Sequence, residues 1–281
     1  MKYWFRFRRK AAKTLRKWMR SRPAMVVSTF LQRRSWKYLV IHNRRYTTLP
    51  EPIVLPSLCG NAKGKLSCPP HLTIVLIHNY EKESILEKSL RYVGIENYVL
   101  LRVNGQWPSN AVKLIELKKY IDSGNCPTEY ILYIDSDDAI LRDDPGKAVQ
   151  YLQEEECDLL FSYTYGRKHF NLMEKYVPET CRWANQLARD HGCEQVYLNA
   201  GVFIAKTTFL KEILDTAVEF VTEHDLSPDE RNRLHRQGTL AEALPEFPKG
   251  AGDDQMIFRY LHPRFYPRVK IDFKRRLALR Q

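Results

Sequence analysis

With 281 residues, 44% of them hydrophobic and 12% aromatic, the chain has the length and apolar content for one large α/β domain plus an extension. Its formal net charge of +12 is unevenly placed: fifteen Lys and Arg precede Pro50, no Asp or Glu precedes Glu51, and the other 30 basic and 33 acidic residues leave the rest at −3. The composition therefore excludes a uniformly basic body and assigns the basicity to an amino-terminal arm.

That arm, residues 1–49, opens MKYWFRFRRKAAKTLRKWMRSR. On a helix, Trp4, Phe7, Ala11, Leu15, Trp18 and Met19 share a face, while Arg8, Arg9, Lys13, Arg16, Lys17 and Arg20 cover much of the remainder. Aromatic residues opposite Lys and Arg make a helix that lies in a membrane interface, where anionic headgroups add about 1 kcal/mol per basic residue. The apolar run at 24–31 is too short to span a bilayer and does not read as a signal peptide. A solvated basic tail and a nucleic-acid contact are the other readings of such an arm, but no nucleic-acid-binding motif accompanies it. The expectation is a cytoplasmic protein, peripheral on the inner face of an anionic membrane, without a nucleic-acid partner. Six cysteines, none in C-x-x-C spacing, read as reduced thiols rather than a metal or redox motif.

Residues 50–70 hold five prolines and read as a linker, so the globular body is expected over 71–281. Segment 72–77, LTIVLI, is a buried strand; 84–92 is a helix; 98–103 is a second strand; and 111–121 is an amphipathic helix with Asn110 as its cap. Segment 130–134, YILYI, completes a βαβαβ series. Asp144-Pro145 opens a helix to 156, and 157–163 is a fourth strand. This alternation predicts an α/β fold with a doubly wound, mostly parallel sheet flanked by helices. Neither a G-x-G-x-x-G nor a Walker loop follows the first strand, which argues against dinucleotide-binding and phosphate-loop enzymes. Beyond lie a helix over 179–190, the apolar stretch 196–206 (VYLNAGVFIAK), a helix from Thr207 or Thr208 to about 223, a helix beginning at Asp253 and Asp254, and a last strand over 265–273. Small residues around Asn199, Ala200 and Gly201 suggest a backbone that a ligand approaches closely.

The chemistry concentrates where the third strand ends. YIDSDDAIL places Asp135, Asp137 and Asp138 within four residues at a carboxyl end, the edge where open α/β sheets bind ligands. Three carboxylates so close repel one another unless a cation neutralises them, and hard oxygen ligands suit manganese, magnesium or calcium. The same residues also suit an Asp-rich turn that caps the next helix.

Together, YIDSDDAIL, YLNAGVFIAK and GAGDDQ resemble a sugar-nucleotide-dependent glycosyltransferase of the GT-A type, and in particular the glycosyltransferase domain of procollagen lysyl hydroxylases. The likeness covers roughly residues 72–273. It implies a Rossmann-like nucleotide-diphospho-sugar transferase fold, with Mn2+ or Mg2+ held by Asp135 and either Asp137 or Asp138, and a UDP-sugar bound through its diphosphate. It further implies that Trp107 stacks on the uracil, Lys113 faces the diphosphate, Asn199 and Gly201 face the sugar, and Asp253, Asp254 and Gln255 stand on the acceptor side. Asn79 and Tyr80, just after the first strand, fall where the base should sit. Asp253 or Asp254 would deprotonate an acceptor hydroxyl or stabilise an oxocarbenium-like centre; either is also suited to be a helix cap. The family's further metal ligand, a histidine beyond the last strand, has no counterpart before Gln281, and His262 lies too early to replace it. The expected activity is transfer of a hexose from a UDP-sugar to a hydroxyl of a glycan, a lipid-linked saccharide or a protein. A catalytically silent glycan-binding or scaffold relative is the alternative that the missing histidine motivates, and a phosphohydrolase using Asp135 as nucleophile is a third.

Overall fold

The computed structural model describes residues 38–42, 50–165 and 170–279. The arm up to residue 37, with its expected interface helix, lies outside them. In chain order the elements are β1 (Val40–His42), α1 (Glu51–Cys59), β2 (Leu72–His78), α2 (Ile85–Val93), β3 (Val99–Arg102), α3 (Val112–Asp122), β4 (Tyr130–Ile134), β5 (Ala139–Leu141), α4 (Gly146–Glu154), β6 (Leu159–Tyr165), α5 (Phe170–Tyr176), α6 (Pro178–Asp190), β7 (Val196–Lys206), α7 (Thr207–Ala217), α8 (Pro228–Gln237), α9 (Leu240–Ala243), α10 (Asp254–Phe265), β8 (Val269–Ile271) and β9 (Ala278–Leu279). Among the described residues no helix is long and apolar enough to cross a membrane.

Strands β2 and β4, apolar but for Thr73 and His78 in β2, are buried at every position, as expected of strands with both faces covered. They sit inside a six-stranded sheet of order β3-β2-β4-β7-β6-β8. All neighbours pair in parallel except β7, which runs against both β4 and β6. The carboxyl ends of β2, β4 and β6 therefore meet the amino end of β7 along one edge. Alternation splits each strand between two cores. Ile74, Leu76, Leu132, Ile134 and Ile204 pack with α1, α2 and α4, whereas Val75, Ile77, Ile131, Tyr133 and Phe203 pack with α3, α7 and α10. Each fully buried Leu or Ile contributes about 1.5–3 kcal/mol to this sandwich. The mainly parallel sheet with helices on both faces is the α/β architecture expected above.

A second, three-stranded sheet was not expected. β1 lies at its centre, antiparallel to β5 and parallel to β9, and Tyr38, Leu39, Val40 and Ile41 are buried in the first core. The stretch read as a linker also carries α1, whose Val54, Leu55 and Leu58 join that core. Its prolines misled because Pro52 occupies the first turn, where a missing N–H costs nothing. The body thus includes residues assigned by sequence to the arm and linker. All six cysteines are free; Cys59 and Cys68 donate to the oxygens of Leu141 and Leu72.

One irregularity prepares the site. β7 pairs Phe203 with Phe161 but Asn199 with Ser162, so Ala200, Gly201 and Val202 bulge away from β6. Val202 still pairs with Ile134 of β4, and the Asp135 N–H continues that ladder onto the Gly201 oxygen at 2.7 Å.

Candidate functional site

Asp135 is the first residue past β4, and its two carboxylate oxygens have different partners. Oδ1 accepts from the Lys113 ammonium at 2.7 Å and from the Tyr133 hydroxyl at 2.9 Å. Oδ2 faces the His42 ring, 3.5 Å from Nε2. Burial pushes the Asp135 carboxyl up, but Lys113 and His42 outweigh it and hold the group below the usual carboxylate range. Lys113 loses to burial and gains from Asp135 and Asp254, with a net rise well above the ordinary lysine value. Both groups are charged at neutral pH.

His42 is the residue that sequence reasoning missed. It ends β1, buried, with Nε2 2.8 Å from Asp138 Oδ1. One ligand atom each from His42, Asp135 and Asp138 lie within 4.8 Å of one another. In an octahedral site with bonds of about 2.1 Å, adjacent ligands stand about 3 Å apart, and the separations of 2.8 and 3.5 Å straddle that value. The donor set therefore fits a divalent ion. Two carboxylates suit a hard cation, and the imidazole tilts the set toward a first-row transition ion rather than calcium or magnesium. The outer acids of the D-x-x-D form come together here. Asp137 stays outside the group and lines the adjoining cleft.

Gly201 explains how two side chains approach the β7 backbone. A Cβ there would lie 2.1 Å from His42 Cε1 and 2.5 Å from Asp135 Oδ2. The small residues here were expected to let a ligand approach the backbone; the groups that approach Gly201 are His42 and Asp135. Asn199 is likewise a brace. Its Oδ1 accepts from the Gly201 N–H and the Ser162 hydroxyl, and its Nδ2 donates to Gln255 Oε1 at 2.6 Å. This ties the bulge to the start of α10.

The acid pair at that start divides into two roles. Asp253 caps α10 by accepting the Met256 N–H at 3.0 Å, and it pairs with the buried Arg231 at 3.0 Å. Arg231 also donates to the Ala251 oxygen, so Asp253 is committed to holding the turn. Gly252 serves the same turn, since a Cβ would meet the Leu226 oxygen at 2.2 Å. Asp254 instead turns to Lys113 at 3.5 Å. Burial raises its carboxyl to about 6, against the pull of Lys113 and with the help of Asp253 and Asp135. Lys113, with 15% of its side chain exposed, bridges the two acids.

A cleft of about 300 Å³ adjoins these groups. Asn79, Tyr80, Trp107 and Asn110 line it together with Lys113, Asp135, Asp137 and Asp138. Asn79 donates to the Gly105 oxygen at 3.0 Å. Asn110, expected to cap α3, accepts the Trp107 indole N–H at 3.2 Å instead, and α3 starts without a side-chain cap. The cleft thus combines aromatic rings with acids and an ammonium. His262 is elsewhere: its Nε2 donates to the Val269 oxygen, and its ring meets the edge of Trp183.

No family model and no curated protein matches the chain. Among solved structures, the crystal structure of a glycosyltransferase involved in the glycosylation of the major capsid of PBCV-1 is similar at 14% identity and a TM-score of 0.37, over 72% of this chain and 81% of that one. A likeness of that size leaves the chemistry to the residues of the site.

Proposed function

We propose that the chain is a divalent-metal-dependent glycosyltransferase that moves a hexose from a UDP-sugar to a hydroxyl of a glycan, a lipid-linked saccharide or a protein. The observation that carries this reading is the convergence of His42, Asp135 and Asp138 beside a cleft that also holds aromatic rings and Lys113. The motive for a silent relative was a histidine missing from the carboxyl-terminal side; His42 supplies one from the opposite end of the chain.

Manganese held by His42, Asp135 and Asp138 would offset the charge that builds on the departing diphosphate. The protein's own groups do the rest. Tyr80 and Trp107 line the cleft and would stack on the base, and the Lys113 ammonium in the same lining would meet a phosphate oxygen. Asp254 shares Lys113 with Asp135, and with its carboxyl near 6 it is ionised at neutral pH, able to take the proton of an acceptor hydroxyl or to face an oxocarbenium-like carbon. Asp253, Asn199 and Gln255 fix the turn that presents Asp254. The basic arm would hold the protein at an anionic membrane surface.

Incubating the protein with UDP-sugars and MnCl2 tests the reading. Release of UDP should occur, cease with a chelator, and be lost in Asp135→Asn and His42→Ala. Release that persists in the chelator, or no release from any nucleotide sugar, contradicts it.

A further inference from the structure

The proposed mechanism leaves two buried ionisable groups without a task, and they lie directly behind the aromatic end of the cleft. His78, the last residue of β2, is 1% exposed, and Glu87 in the first turn of α2 is 4% exposed. His78 Nε2 lies 2.9 Å from Glu87 Oε2. That same oxygen accepts the Ser84 N–H at 2.6 Å, while Ser84 Oγ accepts the Glu87 N–H, so the carboxylate is part of a capping box and fixed by its helix. On the other side of the imidazole, the Tyr80 backbone N–H donates to Nδ1 at 3.1 Å. An Nδ1 that accepts leaves the ring proton on Nε2, pointed at Glu87; the two bonds together select one neutral tautomer.

The imidazole also stacks on Tyr80, with centroids 4.8 Å apart and planes 15° from parallel. Tyr80 is 38% exposed and lines the cleft. Its carbonyl is held as well, by the Arg102 guanidinium. Backbone and ring of this one tyrosine are therefore set from behind by groups anchored in β2, α2 and β3. An exposed tyrosine that merely packed on the surface would not need its backbone and its ring both set by a single buried histidine.

Resting on the nucleotide-sugar reading, we propose that His78, oriented by Glu87, is a positioning residue that presents the Tyr80 ring as a ready-made stacking face for the planar base of the donor. The chain Glu87–His78–Tyr80 removes the rotation that a free tyrosine would lose on binding, so its effect belongs to the base and not to the phosphates.

The test compares wild type, His78→Ala and His78→Asn by amide hydrogen exchange and by titration with UDP or with pyrophosphate, each in MnCl2. His78→Ala should speed exchange of the Tyr80 N–H and weaken UDP binding about tenfold, the loss of one base stack, while pyrophosphate binding stays unchanged. In His78→Asn the amide oxygen can still accept the N–H two residues on, so protection should return while the UDP affinity stays low. UDP affinity unchanged in both variants overturns the proposal, and so does a parallel fall in pyrophosphate affinity. Wild-type protein that binds neither UDP nor pyrophosphate overturns the nucleotide-sugar reading and this inference with it.

Discussion

Two adjacent acids, Asp253 and Asp254, have opposite fates, and the difference is one of partners. Asp253 is saturated by a backbone N–H and a buried guanidinium, while Asp254 faces a lysine that it shares with Asp135. In the proposed reaction Asp254 works ionised, so transfer should decline as pH falls through about 6. Asp254→Asn should remove that acid limb and lower kcat by about 10²–10⁴; a pH–rate profile that keeps its limb in the variant assigns it to another group. Asp135 and Asp138 were legible in the sequence because they follow directly on a strand end, and Lys113 and Asp254 were reached through the resemblance of the three motifs. His42 was not. A single histidine between a basic arm and a proline-rich stretch has no local signature, and only the pairing of β1 with β5 across about a hundred residues brings it to the acids.

At the level of elements, α10 carries the site at its amino end and an anchor near its carboxyl end. There burial pushes the His262 imidazole down to about 4, outweighing its bond to the Val269 oxygen. In the unfolded chain that ring titrates near 6.5. Below that pH the unfolded state takes up a proton that the folded state refuses until about 4, so stability is complete above 6.5 and declines between 6.5 and 4, by at most about 3 kcal/mol. Between pH 7.5 and pH 5 the urea midpoint should fall further for wild type than for His262→Gln, and equal losses in the two proteins contradict the assignment. β2 and β4 followed from their continuous apolar runs and α10 from its start at Asp253 and Asp254, whereas 196–206 read only as an apolar stretch and forms β7. α8 was missed although Ser227, Pro228 and the left-handed Gly238 mark both of its ends. The short strands β5 and β9 were missed for a different cause, since two or three apolar residues become a strand only when a distant partner supplies the ladder.

Across the described residues, the small sheet joins β1 to β5 and β9 and sets the candidate metal ligand into its middle strand. Charge composition draws the border between arm and near-neutral body after residue 49, which is too late, because Tyr38 through Ile41 are core residues despite basic neighbours. Deleting residues 1–22 should abolish salt-sensitive binding to anionic vesicles while leaving Mn2+ binding intact. Deleting residues 1–49 should abolish both, as it removes His42 and the centre of the small sheet. Vesicle cosedimentation and Mn2+ electron paramagnetic resonance read the two effects separately, and Mn2+ binding retained in the longer deletion would contradict the role of His42.

The central claim is tested most directly by anomalous diffraction from crystals soaked with MnCl2 and UDP. It predicts a manganese peak bounded by His42 Nε2 and carboxylate oxygens of Asp135 and Asp138, with the diphosphate on the open side of the ion and the base toward Tyr80 and Trp107. A nucleotide bound elsewhere, or no manganese among those three side chains, would contradict it.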